Sequence, residues 1–214
     1  MDMEKEFLAC QIEIRGKIFQ PRIETEYWVK KVIERLKKKK IKGKKLVLDI
    51  FCGTGCIGIS LLKNFRNFKV DFIDIDPCAL KQTKENLKKN KIPDFRFSLF
   101  LSDLFKNKKI KNKRYDFIFA NPPYVAKEYL KEVQESVSLG ENKISWYGGK
   151  EGLGVIKKFL KLAKNFLKKG GTVFMEIDPF QKEKIKKILQ REGYKRISFL
   201  KDQFKKTRMV KFSL

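Results

Sequence analysis

No histidine occurs anywhere in the 214 residues. That excludes imidazole general bases, Ser-His and Cys-His nucleophilic machinery, and a His-assisted zinc site. Cysteine is scarce, at four residues, Cys10, Cys52, Cys56 and Cys78. None forms a C-x-x-C pair, so they read as free thiols of a reducing compartment, and no metal is expected. Long apolar runs are missing, so no membrane span is expected. The opening Met-Asp-Met-Glu-Lys-Glu is charged and lacks an apolar segment; no secretory signal is read there, and the expected location is cytoplasmic. Acids are in short supply: 25 Asp and Glu face 51 Lys and Arg, for a net charge of +26. Two readings of that excess stay open. One is compositional drift, since nearly all of it is lysine, spread along the chain beside abundant Asn, Ile and Phe. The other is a surface that faces polyanions, which makes nucleic acid an expected partner of the basic surface.

The residues that are present have the pattern of one globular unit, 42% hydrophobic. Residues 11–19 alternate and break at Gly16, predicting a small hairpin. Trp28, Val29, Val32, Ile33 and Leu36 recur at helical spacing, predicting a helix over about 25–40. Apolar runs predict strands at Leu46–Phe51, Val70–Ile75, Phe95–Leu101, Tyr115–Ala120 and Thr172–Ile177. Helices are predicted between them: one after the glycine turn at 52–58, and one capped by Asp76 with Pro77 in its first turn. Others are predicted at about 126–137, 153–168 and 180–192, with Gly170-Gly171 stopping the one at 153–168. Residues 196–200 and 207–213 close the chain as an antiparallel strand pair. Strands alternating with helices imply an α/β fold: a Rossmann-like, seven-stranded, mostly parallel sheet with helices on both faces.

Strand, glycine turn and helix at 46–62 form a nucleotide-type entry, with Gly53, Gly55 and Gly58 at dinucleotide-like spacing and no Gly-Lys-Ser/Thr of a P-loop. Asp74 follows about 20 residues on, where a carboxylate can accept both ribose hydroxyls. Asp103, at the end of the third strand, is placed to accept an adenine amino hydrogen. Asp49, just before the turn, can hold the loop or a ligand's ammonium group. With their neighbours these define a cofactor set of Asp49, Phe51, Cys52, Gly53, Thr54, Gly55, Asp74, Asp103, Leu104 and Asn121, all at strand carboxyl ends.

The fourth strand runs into Asn121-Pro122-Pro123-Tyr124. Neither proline has an N–H, so carbonyls here find few local donors. Asn121 adds a side-chain carbonyl and Tyr124 a flat face, together able to grip a planar –NH2 group by both hydrogens. These four are the catalytic and substrate-binding candidates. An adenosine-type cofactor beside an –NH2 clamp points to S-adenosyl-L-methionine and N-methylation.

At these residues the chain resembles the class I methyltransferases, and within them the HemK/PrmC family of protein-glutamine N-methyltransferases. Pro21-Arg22-Ile23-Glu24-Thr25-Glu26 resembles that family's P-R-P-E-T-E segment. Asp49–Gly55 is similar to its D-L-G-T-G-S-G loop, with Phe51 where a glycine is usual. Asp74-Ile75-Asp76-Pro77, Gly148-Gly149-x-x-Gly152-Leu153, Met175-Glu176-Ile177 with Gln181, and Lys201-Asp202 with Arg208-Met209-Val210 match further family segments in order, over about 7–214. The resemblance divides the chain into a hairpin and P-R-x-E-T-E segment at 1–25 and a class I methyltransferase domain at 26–214. It implies methylation of a glutamine side-chain amide nitrogen in a protein. The expected substrate is the Gly-Gly-Gln loop of a peptide chain release factor, with a ribosomal protein as a second partner class. Arg22, Glu24 and Glu26 either order the site or cap a helix. Two departures stand out. The family's N-terminal helical substrate domain is not expected here, and its Y-E-P segment reads Gly140-Glu141-Asn142. The competing readings are methylation of an adenine or guanine amine in RNA or DNA, and a non-catalytic binding module of the same fold.

Overall fold

The computed structural model describes residues 3–127 and 141–214. Its seven-stranded sheet has the order β5-β4-β3-β6-β7-β9-β8. The strands are β3 (Lys45–Ile50), β4 (Phe68–Asp74), β5 (Phe97–Leu101), β6 (Tyr115–Ala120), β7 (Leu167–Glu176), β8 (Lys195–Lys201) and β9 (Thr207–Ser213). The first five run parallel, and β9 lies antiparallel between β7 and β8. This is the expected architecture. Strand order reverses between β4-β3 and β6, which opens a crevice at the carboxyl ends of β3 and β6.

Alternation along each strand sorts the core onto two faces. Val47, Phe72, Phe119 and Phe174 pack with α1 (Ile23–Lys38), α2 (Cys56–Asn64) and α3 (Pro77–Lys89) on one face. Leu48, Ile50, Ile118 and Val173 pack with α4 (Gly154–Ala163) and α5 (Lys182–Arg191) on the other. Trp28 of α1 is fully buried and stacks on Phe119 of β6, with ring centroids 6.2 Å apart. Asp76 caps α3 as expected, its Oδ1 accepting from the Cys78 N–H at 2.8 Å. The two cysteines of the glycine turn are free, as are Cys10 and Cys78.

The hairpin lies earlier than the alternation suggested. It pairs β1 (Met3–Phe7) with β2 (Cys10–Ile14) across Leu8-Ala9, both at positive φ (49° and 61°). Gly16 instead turns the chain out of β2. The sequence hid β1 because only Phe7 of that charged segment is buried. β2 buries Cys10, Ile12 and Ile14.

The free edge of β2 is zipped to α3 by side-chain amides. The N–H groups of Gln11, Glu13 and Arg15 donate to Asn90, Asn86 and Gln82 at 3.1, 2.9 and 3.0 Å. Two residues of strand advance about 6.6 Å and four of helix about 6 Å, so the periods match.

The helix expected over 153–168 ends at Ala163, and Gly170-Gly171 lies inside β7 rather than at a helix end. Gly170 sits at φ 78°, where the register of β7 against β6 shifts between Tyr115 and Phe117. The glycines therefore loop the strand out and return it to the sheet. The helix expected over about 126–137 lies almost wholly outside the described residues. Among the described residues no helix is long and apolar enough to cross a membrane.

Candidate active site

The turn after β3 begins with Phe51 at φ 62°, a conformation that favours the glycine usual there. Gly53 and Gly55 follow at φ 54° and 77°. A Cβ on Gly53 would meet nothing within 4 Å, whereas one on Gly55 would come within 2.7 Å of the Thr83 side chain. Gly53 thus faces open space and Gly55 faces packed structure.

That open space is a cavity of about 880 Å³, its mouth included, with Phe51, Gly53, Asp74, Asp103, Leu104 and Asn121 on its wall. Asp74 Oδ2 accepts from the Gly53 N–H at 2.9 Å and its Oδ1 from the Asp76 N–H at 3.0 Å. Burial raises its carboxyl pKa, and the two backbone donors oppose that rise. Asp103, which pairs with Lys106 at 2.6 Å, borders the same space.

The remaining cofactor candidates lie underneath the wall. Asp49 is fully buried; its Oδ2 accepts from the Gly58 N–H at 2.8 Å and its Oδ1 has no partner among the described residues. Burial pushes its carboxyl well up. Cys52 Sγ sits 3.6 Å from Thr83 Oγ1, and the Thr54 carbonyl accepts from Asn86 at 2.9 Å. Asp49, Cys52, Thr54 and Gly55 hold the loop in shape from behind.

Two wall segments were not foreseen: Lys17–Phe19, and Ile144 and Ser145 with Tyr147. Buried Glu141 joins them. It accepts from Arg22 at 2.5 Å and from the Gln20 N–H at 3.2 Å, while the Asn142 N–H donates to the Lys17 carbonyl at 2.8 Å. Arg22 therefore orders a strap over the cavity without lining it. Glu26 accepts from the Leu8 N–H at 2.9 Å and fixes the hairpin turn. Glu24 is half-buried near Arg208. The sequence signal for the strap was its place beside two motifs, Pro21–Glu26 and Gly148–Leu153.

At the end of β6, Asn121 and Pro123 reach the cavity wall, whereas Pro122 and Tyr124 do not line it. The Asn121 side chain has no hydrogen-bond partner among the described residues. The turn is held from several sides. The Tyr124 carbonyl accepts from Gln181 Nε2 at 3.0 Å, and a Cβ on Gly152 would come 2.0 Å from that carbonyl oxygen. The Tyr124 hydroxyl donates to Glu176 Oε1 at 3.2 Å. Glu176 Oε2 accepts from Thr25 Oγ1 at 2.6 Å and Trp28 Nε1 at 2.7 Å. Burial raises the Glu176 carboxyl; burial and the Glu176 charge push the Tyr124 phenol up, so it stays protonated.

Residues 30–138 match the family described as methyltransferase small domain. A release factor glutamine methyltransferase of Clostridium botulinum is 32% identical over 206 residues, covering 96% of this chain and 71% of that protein. One of Borreliella burgdorferi is 32% identical over 207 residues, covering 97% and 69%. Among solved structures, a ribosomal protein L11 methylase from Lactobacillus delbrueckii superposes with a TM-score of 0.64 at 19% identity, over 92% of this chain and 81% of that one. That last likeness shows the fold.

Proposed function

We propose that this chain, which belongs to the release factor glutamine methyltransferase family, transfers a methyl group from S-adenosyl-L-methionine to a glutamine side-chain amide in a peptide chain release factor. The observation that carries the reading is Asn121, whose unpartnered amide stands on the wall of a cavity that Asp74 also borders.

The residues present suit the cofactor. Asp74 spends one lone pair of each oxygen on the loop and keeps capacity for ribose hydroxyls. Gly53 leaves room for close approach. Asp103 borders the same cavity, which supports reading it as the acceptor for an adenine amino group, and Phe51 and Leu104 supply apolar wall. When bound, S-adenosylmethionine supplies an electrophilic sulfonium methyl.

An amide nitrogen is a weak nucleophile because its lone pair is delocalised into the carbonyl. The side-chain oxygen of Asn121 and the carbonyl of Pro122, which is bonded to the wall residue Pro123, accept its two hydrogens and turn the lone pair toward the methyl. Pro123 has no N–H to compete for these acceptors. The work is positioning rather than strong-base catalysis. Tyr124 keeps the turn rigid through Glu176. After transfer the surplus nitrogen proton is lost to water.

Asn121→Ala is the test, assayed on a release-factor domain bearing a Gly-Gly-Gln loop with cofactor affinity measured in parallel. Methylation should fall about 100-fold or more, the scale of a misplaced reactant. Undiminished methylation with cofactor bound would sink the clamp.

A further inference from the structure

Four cations converge where α1 meets the β8–β9 edge of the sheet. Arg35 and Lys39 stand one turn apart near the end of α1, and α1 lies along β9. Lys211 of β9 pairs in register with Ser198 of β8. Arg196 occupies the irregularity of β8 between Lys195 and Ser198, at φ 49°. The charges acting on Lys211 are those of Lys39, Arg35 and Arg196. None of the four has an ion-pair partner among the described residues. The helix thus forms a wall and the outer strands a floor, both lined with like charge.

From this juxtaposition we infer that the groove between α1 and the β8–β9 edge binds the phosphate backbone of a nucleic acid, RNA above all, as a partner and not as a methylation substrate. Like charges gathered without acids destabilise a fold by mutual repulsion, and an anion along the groove relieves it. Arg196 is held at the irregularity of β8 in a left-handed conformation that costs a non-glycine residue energy. Two guanidinium forks suit phosphate oxygens. The exposed apolar residue of α1, Ile23, is at its other end, and β8 itself exposes none; Phe204 and Leu214 are exposed in and just after the β8–β9 hairpin.

Its position decides the role. Thr25, which touches Glu176, is separated from Lys39 by about 21 Å of helix at 1.5 Å per residue. Lys211 is the nearest of the four, in register with Phe174 two residues before Glu176, and from there the cations lead toward the far end of α1, away from Thr25. The net charge of +26 would speed encounter with any polyanion, and the groove gives the polyanion a place to settle.

The test uses the full chain and a short fluorescent RNA, titrated by anisotropy from about 50 to 200 mM salt, against a variant carrying Arg35→Glu, Lys39→Glu, Arg196→Glu and Lys211→Glu. Contacts to four phosphates predict about a 100-fold loss of wild-type affinity over that salt range, and a log–log slope shallower by about 3 in the variant. A set with glutamine at the same positions serves if the charge reversals impair folding. A control reversing Lys106, Lys108, Lys109 and Lys111 should keep the wild-type slope. Methylation of an isolated release-factor domain should be unchanged by the groove substitutions, so failure here leaves the methylation reading standing. Three results would overturn the inference: no RNA binding by the wild type, equal loss in the control, or equal affinity for polyglutamate.

Discussion

The phenol of Tyr124 donates to Glu176 at 3.2 Å, tying the turn that ends β6 to the last residue of β7. The same carboxylate holds Thr25 and Trp28 of α1. One buried acid thus locks three separate segments, and the tightest consequences of the structure begin there.

Glu176→Ala leaves three donors without an acceptor, those of buried Thr25 and Trp28 and half-buried Tyr124, and at about 1 kcal/mol for each the variant should lose about 3 kcal/mol. Glu176→Gln removes the buried charge instead. Because burial raises the Glu176 carboxyl, its contribution is fully present below about 4.5 and is lost as pH rises through the raised value. The glutamine variant should therefore show a flatter stability profile above that point than the wild type. Urea unfolding at a series of pH values checks both; identical profiles would count against a raised carboxyl.

Arg22→Ala strands the Glu141 carboxylate, whose side chain is only 1% exposed. Removing one partner of a buried pair costs about 3 kcal/mol or more. The strap residues Lys17–Phe19 border the cavity, so S-adenosylmethionine affinity should drop as well. Replacing Arg22 and Glu141 together by leucine should recover part of the stability. Unfolding measurements with calorimetric titration separate the two effects, and a cofactor affinity untouched by loss of Arg22 would deny the strap its role.

Asp74→Ala removes the proposed ribose acceptor and two loop hydrogen bonds at once, and should weaken S-adenosylmethionine at least 10-fold, equivalent to about 1.4 kcal/mol. Calorimetry giving an unchanged dissociation constant would contradict the ribose assignment.

Asn86 serves three backbone groups, the N–H and carbonyl of Glu13 and the carbonyl of Thr54. Asn86→Leu should cost about 2 kcal/mol or more. Hydrogen exchange should accelerate at Gln11, Glu13 and Arg15, because the hairpin loosens from α3. Retained protection there would show that the hairpin is held by its apolar face alone.

Much of the molecule was legible before folding. Apolar runs separated by helical periods marked every strand of the sheet, because a buried parallel strand reads as a continuous apolar segment. β1 escaped because an edge hairpin strand with one buried residue has almost no apolar signal. Gly170-Gly171 misled for a different reason: a glycine pair marks a bend, and only the register against β6 shows whether the bend ends a helix or bulges a strand.

The candidate site divides the same way. Local order alone sufficed to put Gly53, Asp74, Asp103 and Asn121 at strand carboxyl ends, since each follows directly from its own strand. Which of the neighbouring residues face the cavity depended on packing. Asp49, Cys52, Thr54 and Gly55 lie behind the wall because the turn's inner side is filled by Thr83, Asn86 and Gly58. Arg22 meets Glu141 across 119 residues and Trp28 meets Glu176 across 148. Periodicity and propensity act over a few residues; pairs such as these exist only because the closed sheet brings α1, the strap and β7 together around one crevice.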